Sequence, residues 1–341
     1  MAAMAAFFPR DSASRAALAG TMLFLAHFVN HPHFAHSYQV FYRGFLRKAF
    51  GESVLAPHYR FAGIMIPAML AVFFSVALAK GSVPLLGLAA NVMFFTVGWH
   101  YAKQGYGILI LDSVRNGVRF DFHERRWLLR NTHLAWFTWW LVANDALSSK
   151  NLWGIEYYLL DVPDTLLIPM VSLVAVSTGV VGWRISTRCR TADSLPVNGL
   201  VAYVAAVYVW LLAGRLDPLL LFVVPFFHSL QYMAVVWRYR MNEQADRSEA
   251  GERMRRKTWF RSARAALVRF AIVGGILGAA GFWLAPMAAN GLNVYDRAVF
   301  GTTVFLFIAW TFINIHHYFI DNVIWRRDNP EMRHHLFGAK A

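Results

Sequence analysis

A single cysteine, Cys189, stands in the 341 residues. That excludes an intramolecular disulfide and any cysteine-built metal or redox motif. It also argues against iron–sulfur clusters and cysteine-ligated haem. Charge is scarce as well: 15% of residues are Asp, Glu, Lys or Arg, against about 25% in ordinary soluble domains. Acidic residues are the scarcer sign, 19 against 33 basic, for a formal charge of +14. The basic residues sit in short segments between apolar runs. That is a membrane topology signal rather than a nucleic-acid footprint, so no nucleic-acid partner is expected. No internal repeat and no low-complexity tract is visible. The start, MAAMAAFFPRDSASR, lacks the layout of a cleaved signal peptide, because its charges follow its first short apolar run.

What the chain has in abundance is apolar length. Hydrophobic residues make up 57% of it, and several runs reach the roughly 20 residues that cross a bilayer. In lipid the backbone must satisfy its own hydrogen bonds, which leaves helices or a closed barrel. The runs are too long and too continuous for barrel strands of about 10 alternating residues. The expected fold is therefore all-α, a polytopic helical bundle forming one transmembrane domain over residues 1–341. Nine candidate spans are read at about 16–36, 61–79, 83–111, 128–144, 159–183, 197–214, 217–238, 265–285 and 298–325.

Arg43, Arg47 and Lys48 follow the first span, and Arg115, Arg119, Arg125 and Arg126 follow the third. Arg184, Arg188 and Arg190 follow the fifth, a strongly basic loop covers about 239–264, and Arg326 and Arg327 open the tail. The alternate connections carry only Lys80, Lys150, Arg215 and Arg297. All the basic loops thus fall on one side, taken as cytoplasmic. The expected location is a bacterial-type inner membrane, crossed several times, with the C-terminus in the cytoplasm.

Histidine then stands out. The stretch FVNHPHFAHSYQVFY carries His31, His33 and His36, with His27 one turn earlier. His100 lies in VGWHYAKQGYG, His228 in PFFHSLQYM, and His316 and His317 in INIHHYFIDNVIW. With His133, five spans bring imidazole to one level, judged at about 1.5 Å per helical residue. Ionisable groups inside spans are rare and face the protein interior. Imidazole is the commonest neutral metal ligand, and His-rich sites suit iron, zinc or copper. His31, His33, His36, His100, His228, His316 and His317 are the candidate metal ligands. His27 and His133 read as packing residues, and His58, His123, His334 and His335 as interfacial or tail residues. Pro32 complicates wheel arguments around His31.

Two further residues are candidates for catalysis. His228 shares a helical face with Gln231 and Tyr232. Asp321 stands four residues after His317, the offset of two ligands or of a ligand and its neighbour. Asp321 either binds the metal, orients a ligand imidazole, or pairs at the interface with Arg326 and Arg327.

The order HPHFAHSY, WHYAKQGYG, FFHSLQYMAVVW and HHYFID resembles the bacterial Brp/Blh-type β-carotene 15,15′-dioxygenases, polytopic proteins whose histidines are taken to bind non-haem iron. The likeness covers four patches, about 40 residues. It implies His31 or His33, His100, His228 and His316 or His317 as ligands. It departs where the family's third motif has a second histidine one turn on and this chain has Tyr232, so the substrate is not carried over.

The reading that follows is a membrane-embedded oxygenase or dioxygenase, a metal-binding oxidoreductase with one or two Fe2+ ions. It would act on a lipid-soluble small molecule such as a carotenoid, isoprenoid or acyl chain, with an electron-donor protein allowed for as partner. The alternatives are a di-iron desaturase or hydroxylase, for which a full set of histidine boxes is lacking, a haem-b electron carrier, and a proton-coupled transporter. Topology is directly testable. A reporter fused at Ala341 is expected to read cytoplasmic, and one in the 286–297 connection periplasmic; a periplasmic tail would invert the assignment.

Overall fold

In the computed structural model, residues 11–146, 151–157, 160–190, 195–209, 219–251, 256–292, 294–326 and 328–337 are described. Among the described residues the fold is all-α apart from one two-residue hairpin, Asn151–Leu152 against Ile155–Glu156. Six helices among the described residues are long and apolar enough to cross a membrane. They are Ser12–Tyr42, broken at residues 27–29 into α1 (Ser12–Ala26) and α2 (Asn30–Tyr42); α3 (Ala56–Ala79); α4 (Val83–Arg115); α6 (Asp164–Arg190); Arg264–Gly291; and α10 (Val304–Ile324).

The described parts of the other three expected spans are largely helical but do not meet that standard, and residues 210–214 and 217–218 of them lie outside the described residues. Residues 128–144 fall in α5 (Phe122–Ala146), which carries Arg125, Arg126, Arg130 and Asn131. Residues 197–214 give the shorter α7 (Val197–Val209), and 217–238 open α8 (Leu220–Gly251). Nor is 239–264 all loop. α8 continues through it to Gly251, and a new helix, α9 (Arg256–Ala279), starts five residues later and runs on as helix to Gly291. Residues 252–255, with Arg255, lie outside the described residues. The first helix likewise continues to Tyr42 rather than ending at residue 36, so that His31 and His33 fall in the first turn of α2 and His36 in its middle.

Outward faces of the long helices are apolar. On α6, Ile168, Leu173, Val176 and Trp183 are exposed, where a water-soluble amphipathic helix would be polar. Apolar exposure on that scale suits contact with lipid. Helix ends are punctuated by left-handed glycines. Gly81 (φ 61°) and Gly117 (φ 74°) sit beside six-to-one bonds, Ser82 N–H to the Ala77 carbonyl and Val118 N–H to that of Ser113, a Schellman closure.

Contacts divide the chain into two compact units. The first comprises Met1–Leu18, Ala90–Lys150 and Tyr157–Val224. Its core is built from Leu109, Leu128, Trp139, Leu167, Val174, Tyr203 and Val207. Polar side chains bind its helices together: Asn131 donates to Tyr203 Oη at 3.1 Å, and Asn91 donates to Asn144 Oδ1 at 2.6 Å. The second comprises Ala19–Ala89, Asn151–Glu156 and Pro225–Ala341. Its core gathers Phe41, Tyr59, Val236, Phe270, Ile320 and Ile324.

In the second unit α9 packs along α2, and two glycines one turn apart permit the approach. A Cβ on Gly274 would stand 2.2 Å from the His36 ring, and one on Gly278 2.8 Å from the His31 carbonyl carbon. Small residues four apart are the usual means by which membrane helices come close. Gly275, between them, faces open space. Gly278→Ala is therefore expected to destabilise by about 1–3 kcal/mol through overpacking, while Gly275→Ala stays neutral or better. Detergent-resistant thermal unfolding of the two variants compares them directly, and equal midpoints would refute the close contact.

Candidate metal centre

α2 begins at Asn30, so Pro32 occupies the first turn, where its missing N–H costs no helical bond. The helix is regular from there, with His33 N–H bonded to the Val29 carbonyl. At about 100° per residue, His31 and His33 point roughly 200° apart. His31 stacks on Phe282 at 4.6 Å and meets Trp310 edge-on at 5.6 Å. His36 lies on Phe270 at 4.2 Å. Neither joins the others. His33 points elsewhere, with its ring 4.3 Å from Tyr232, 4.6 Å from His317 and 5.2 Å from His228.

α10 supplies the rest. His317 and Asp321 are one turn apart, with Nε2 and Oδ2 separated by 3.6 Å. One ligand atom each from His33, His317 and Asp321 lie within 4.8 Å of one another. A first-row divalent ion holds imidazole nitrogen and carboxylate oxygen at about 2.0–2.2 Å, so two atoms on one ion are at most about 4.4 Å apart. The His317–Asp321 pair already meets that limit. Two imidazoles and one carboxylate form the donor set of mononuclear non-haem iron sites, and these residues fit it.

Supporting hydrogen bonds orient this group. Ser229 Oγ donates to Asn30 Oδ1 at 2.8 Å and lies 3.2 Å from His33 Nδ1. With its one hydrogen spent on Asn30, Ser229 accepts from His33 Nδ1–H. His33 then carries its lone pair on Nε2, the tautomer a ligand needs. Tyr232 Oη donates to Asp321 Oδ1 at 3.3 Å, and Ser37 Oγ stands 2.5 Å from Tyr232 Oη. All of these side chains are buried except Asn30, which is half-buried; His33 is 1% exposed and Asp321 3%.

The adjacent His316 has a different task. Its Nε2 donates to the Ala62 carbonyl at 2.9 Å, and its Nδ1 accepts from Tyr38 Oη at 2.8 Å. Both ring nitrogens are engaged in these hydrogen bonds. His228 is buried against His33. His100 belongs to the first unit, midway along α4. His133 stacks on Trp99 at 4.3 Å, as a packing residue would. Arg326 is committed to Asp328, donating at 2.9 and 3.0 Å, and holds that carboxyl below its ordinary value. Arg327 lies outside the described residues. Sequence inspection misses Ser37, Asn30 and Ser229, whose residue types carry no signal until the helices are paired.

Comparison of this chain with family models, with curated proteins and with solved structures yields no match.

Tyr232→Phe removes the proton given to Asp321 and leaves buried oxygens short of a partner, worth about 1–3 kcal/mol of stability. Loss of such a supporting bond is expected to weaken metal retention by about 10- to 100-fold. Metal content after dialysis, measured beside Asp321→Asn, checks this. Wild-type retention in both variants would make the Tyr232–Asp321 pair a packing feature only.

Proposed function

We propose that this chain is a membrane-embedded, histidine-ligated non-haem iron oxygenase or dioxygenase acting on a lipid-soluble substrate such as a carotenoid, isoprenoid or acyl chain. The observation that carries the reading is the buried group His33, His317 and Asp321, drawn from two apolar helices. A carboxylate and two imidazoles at that burial are costly as mere packing and apt as ligands. The four-patch resemblance to the Brp/Blh-type enzymes supports the same class.

When bound, iron supplies one-electron and dioxygen chemistry that side chains lack. The chain's own residues do the positioning. Ser229 holds the His33 tautomer, and Tyr232 fixes one oxygen of Asp321 so that the other faces His317. Phe34, its ring 4.6 Å from that of His317 and 4.8 Å from that of His33, contributes an apolar wall that limits water. His228 and His100 are retained in the proposal as further ligands, His100 on the strength of the sequence and the resemblance. The apolar outer faces allow a substrate to arrive from the bilayer, and the one-sided basic loops support an inner-membrane location with the C-terminus in the cytoplasm.

Metal analysis and an absorption spectrum of the purified protein test the class. Iron without a Soret band is expected, and the iron-to-protein ratio separates one ion from two. A Soret band would mean haem, and absence of any metal would favour a transporter. His33→Ala and His317→Ala are expected to abolish bound iron, as are His100→Ala and His228→Ala if those residues are ligands. His316→Ala is expected to keep iron while lowering thermal stability, and loss of iron there would redraw the site.

A further inference from the structure

A second histidine group lies well away along the chain, on the long polar extension of α8 and the C-terminal segment. Asp246 stands in that extension. The C-terminal segment runs through Pro330–Met332 and Arg333–Phe337 and returns to it. Asn242 Nδ2 donates to the His335 carbonyl at 2.6 Å, and the His335 ring meets Tyr239 edge-on at 5.2 Å. Seated this way, two consecutive imidazoles converge on one oxygen. His335 Nδ1 is 2.7 Å and His334 Nε2 3.1 Å from the same Asp246 Oδ2. One ligand atom from each of the three residues lies within 4.8 Å of the other two.

We propose that Asp246, His334 and His335 form a second metal site, for zinc, which fastens the C-terminal segment to α8. Neighbouring helical residues do not ordinarily face one target, so convergence of both rings on Asp246 is a specific arrangement. A simple ion pair needs one imidazole; the second adds a nitrogen donor at ligand distance. Two neutral nitrogens and a carboxylate suit zinc, whereas magnesium and calcium take oxygen. The side chains of His334 and Asp246 are 49% and 40% exposed, so the ion can enter from water and keep a water as its remaining ligand. The site is independent of the buried group: it shares no residue with it and needs no iron.

The test uses the full-length protein in detergent, purified without a histidine tag, with Zn2+ as the probe. Zinc bound per chain is measured at equilibrium, together with tryptic cleavage in the C-terminal segment. Wild type is expected to bind one zinc more than His334→Gln/His335→Gln, and zinc is expected to slow cleavage of the wild-type segment alone. The glutamine pair can still donate hydrogen bonds to Asp246 but lacks the imidazole lone pairs. Its loss of zinc affinity should exceed the roughly 10–100-fold that changing a supporting residue costs. Asp246→Asn provides the second variant and is expected to behave alike. Equal zinc binding by wild type and both variants, or zinc-independent cleavage of all three, would overturn the site and leave a hydrogen-bonded contact.

Discussion

A carboxylate buried among apolar helices is the constraint from which the second unit is built. Asp321 is 3% exposed, and a lone ionised carboxyl in such surroundings is prohibitively costly. Its compensation comes from three helices at once: His317 one turn back on α10, Tyr232 from α8, and through Tyr232 the hydroxyl of Ser37 on α2. His33 continues the network to Ser229 and Asn30. Tyr232, Ser37, Ser229 and Asn30 each place a polar atom against a group on another helix, so rotating one of these helices strands a partner. A network of that kind is worth having only when complete, because one missing member leaves a buried group unpaired. Rotational settings of α2, α8 and α10 are therefore held to those that face His33, His228, His317 and Asp321 together.

The glycines of α9 complete that requirement from the other side. α2 carries three bulky imidazoles within two turns, and only one of them, His33, belongs to the network. The other two must be stored. Gly274 makes room for His36 and Gly278 for the backbone at His31, while Phe270 and Phe282 of the same helix cover the rings. Three histidines that look equivalent in sequence thus divide by direction: one turned to the centre, two packed against an aromatic and glycine-lined neighbour.

Much of this was legible in the sequence, and the failures have physical causes. Apolar length located the six long helices, because lipid-facing surface must be apolar whatever its neighbours. Boundaries failed where helices carry buried or exposed polarity. HPHFAHSY reads as a span end, yet its polar side chains are inside and α2 runs on to Tyr42. Residues 239–251 read as loop from their charge, yet continue α8. The i, i+4 spacing of His317 and Asp321 and the shared face of His228 and Tyr232 were visible. The choice between His316 and His317 was not, since it rests on Tyr38 and the Ala62 carbonyl, far away in the chain. Gly274 and Gly278 were in plain view, but a glycine pair has meaning only once its partner helix is known.

His316 shows how an apparently redundant residue sets the geometry of a working one. Consecutive helical side chains diverge by about 100°, so anchoring one fixes where the next must point. His316 is held at both nitrogens, by Tyr38 of α2 and by the Ala62 carbonyl of α3. Ala62 lies in a π-helical turn, Phe61–Met65, where the ordinary i→i−4 ladder is interrupted. One carbonyl of that irregular turn serves a side chain from another helix. That bond anchors His316 of α10, the helix whose next residue, His317, and, one turn on, Asp321 stand beside His33. His316 carries a proton on Nε2, because the Ala62 carbonyl can only accept. His316, anchored at both nitrogens, stands beside the pair His317 and Asp321 on the same helix.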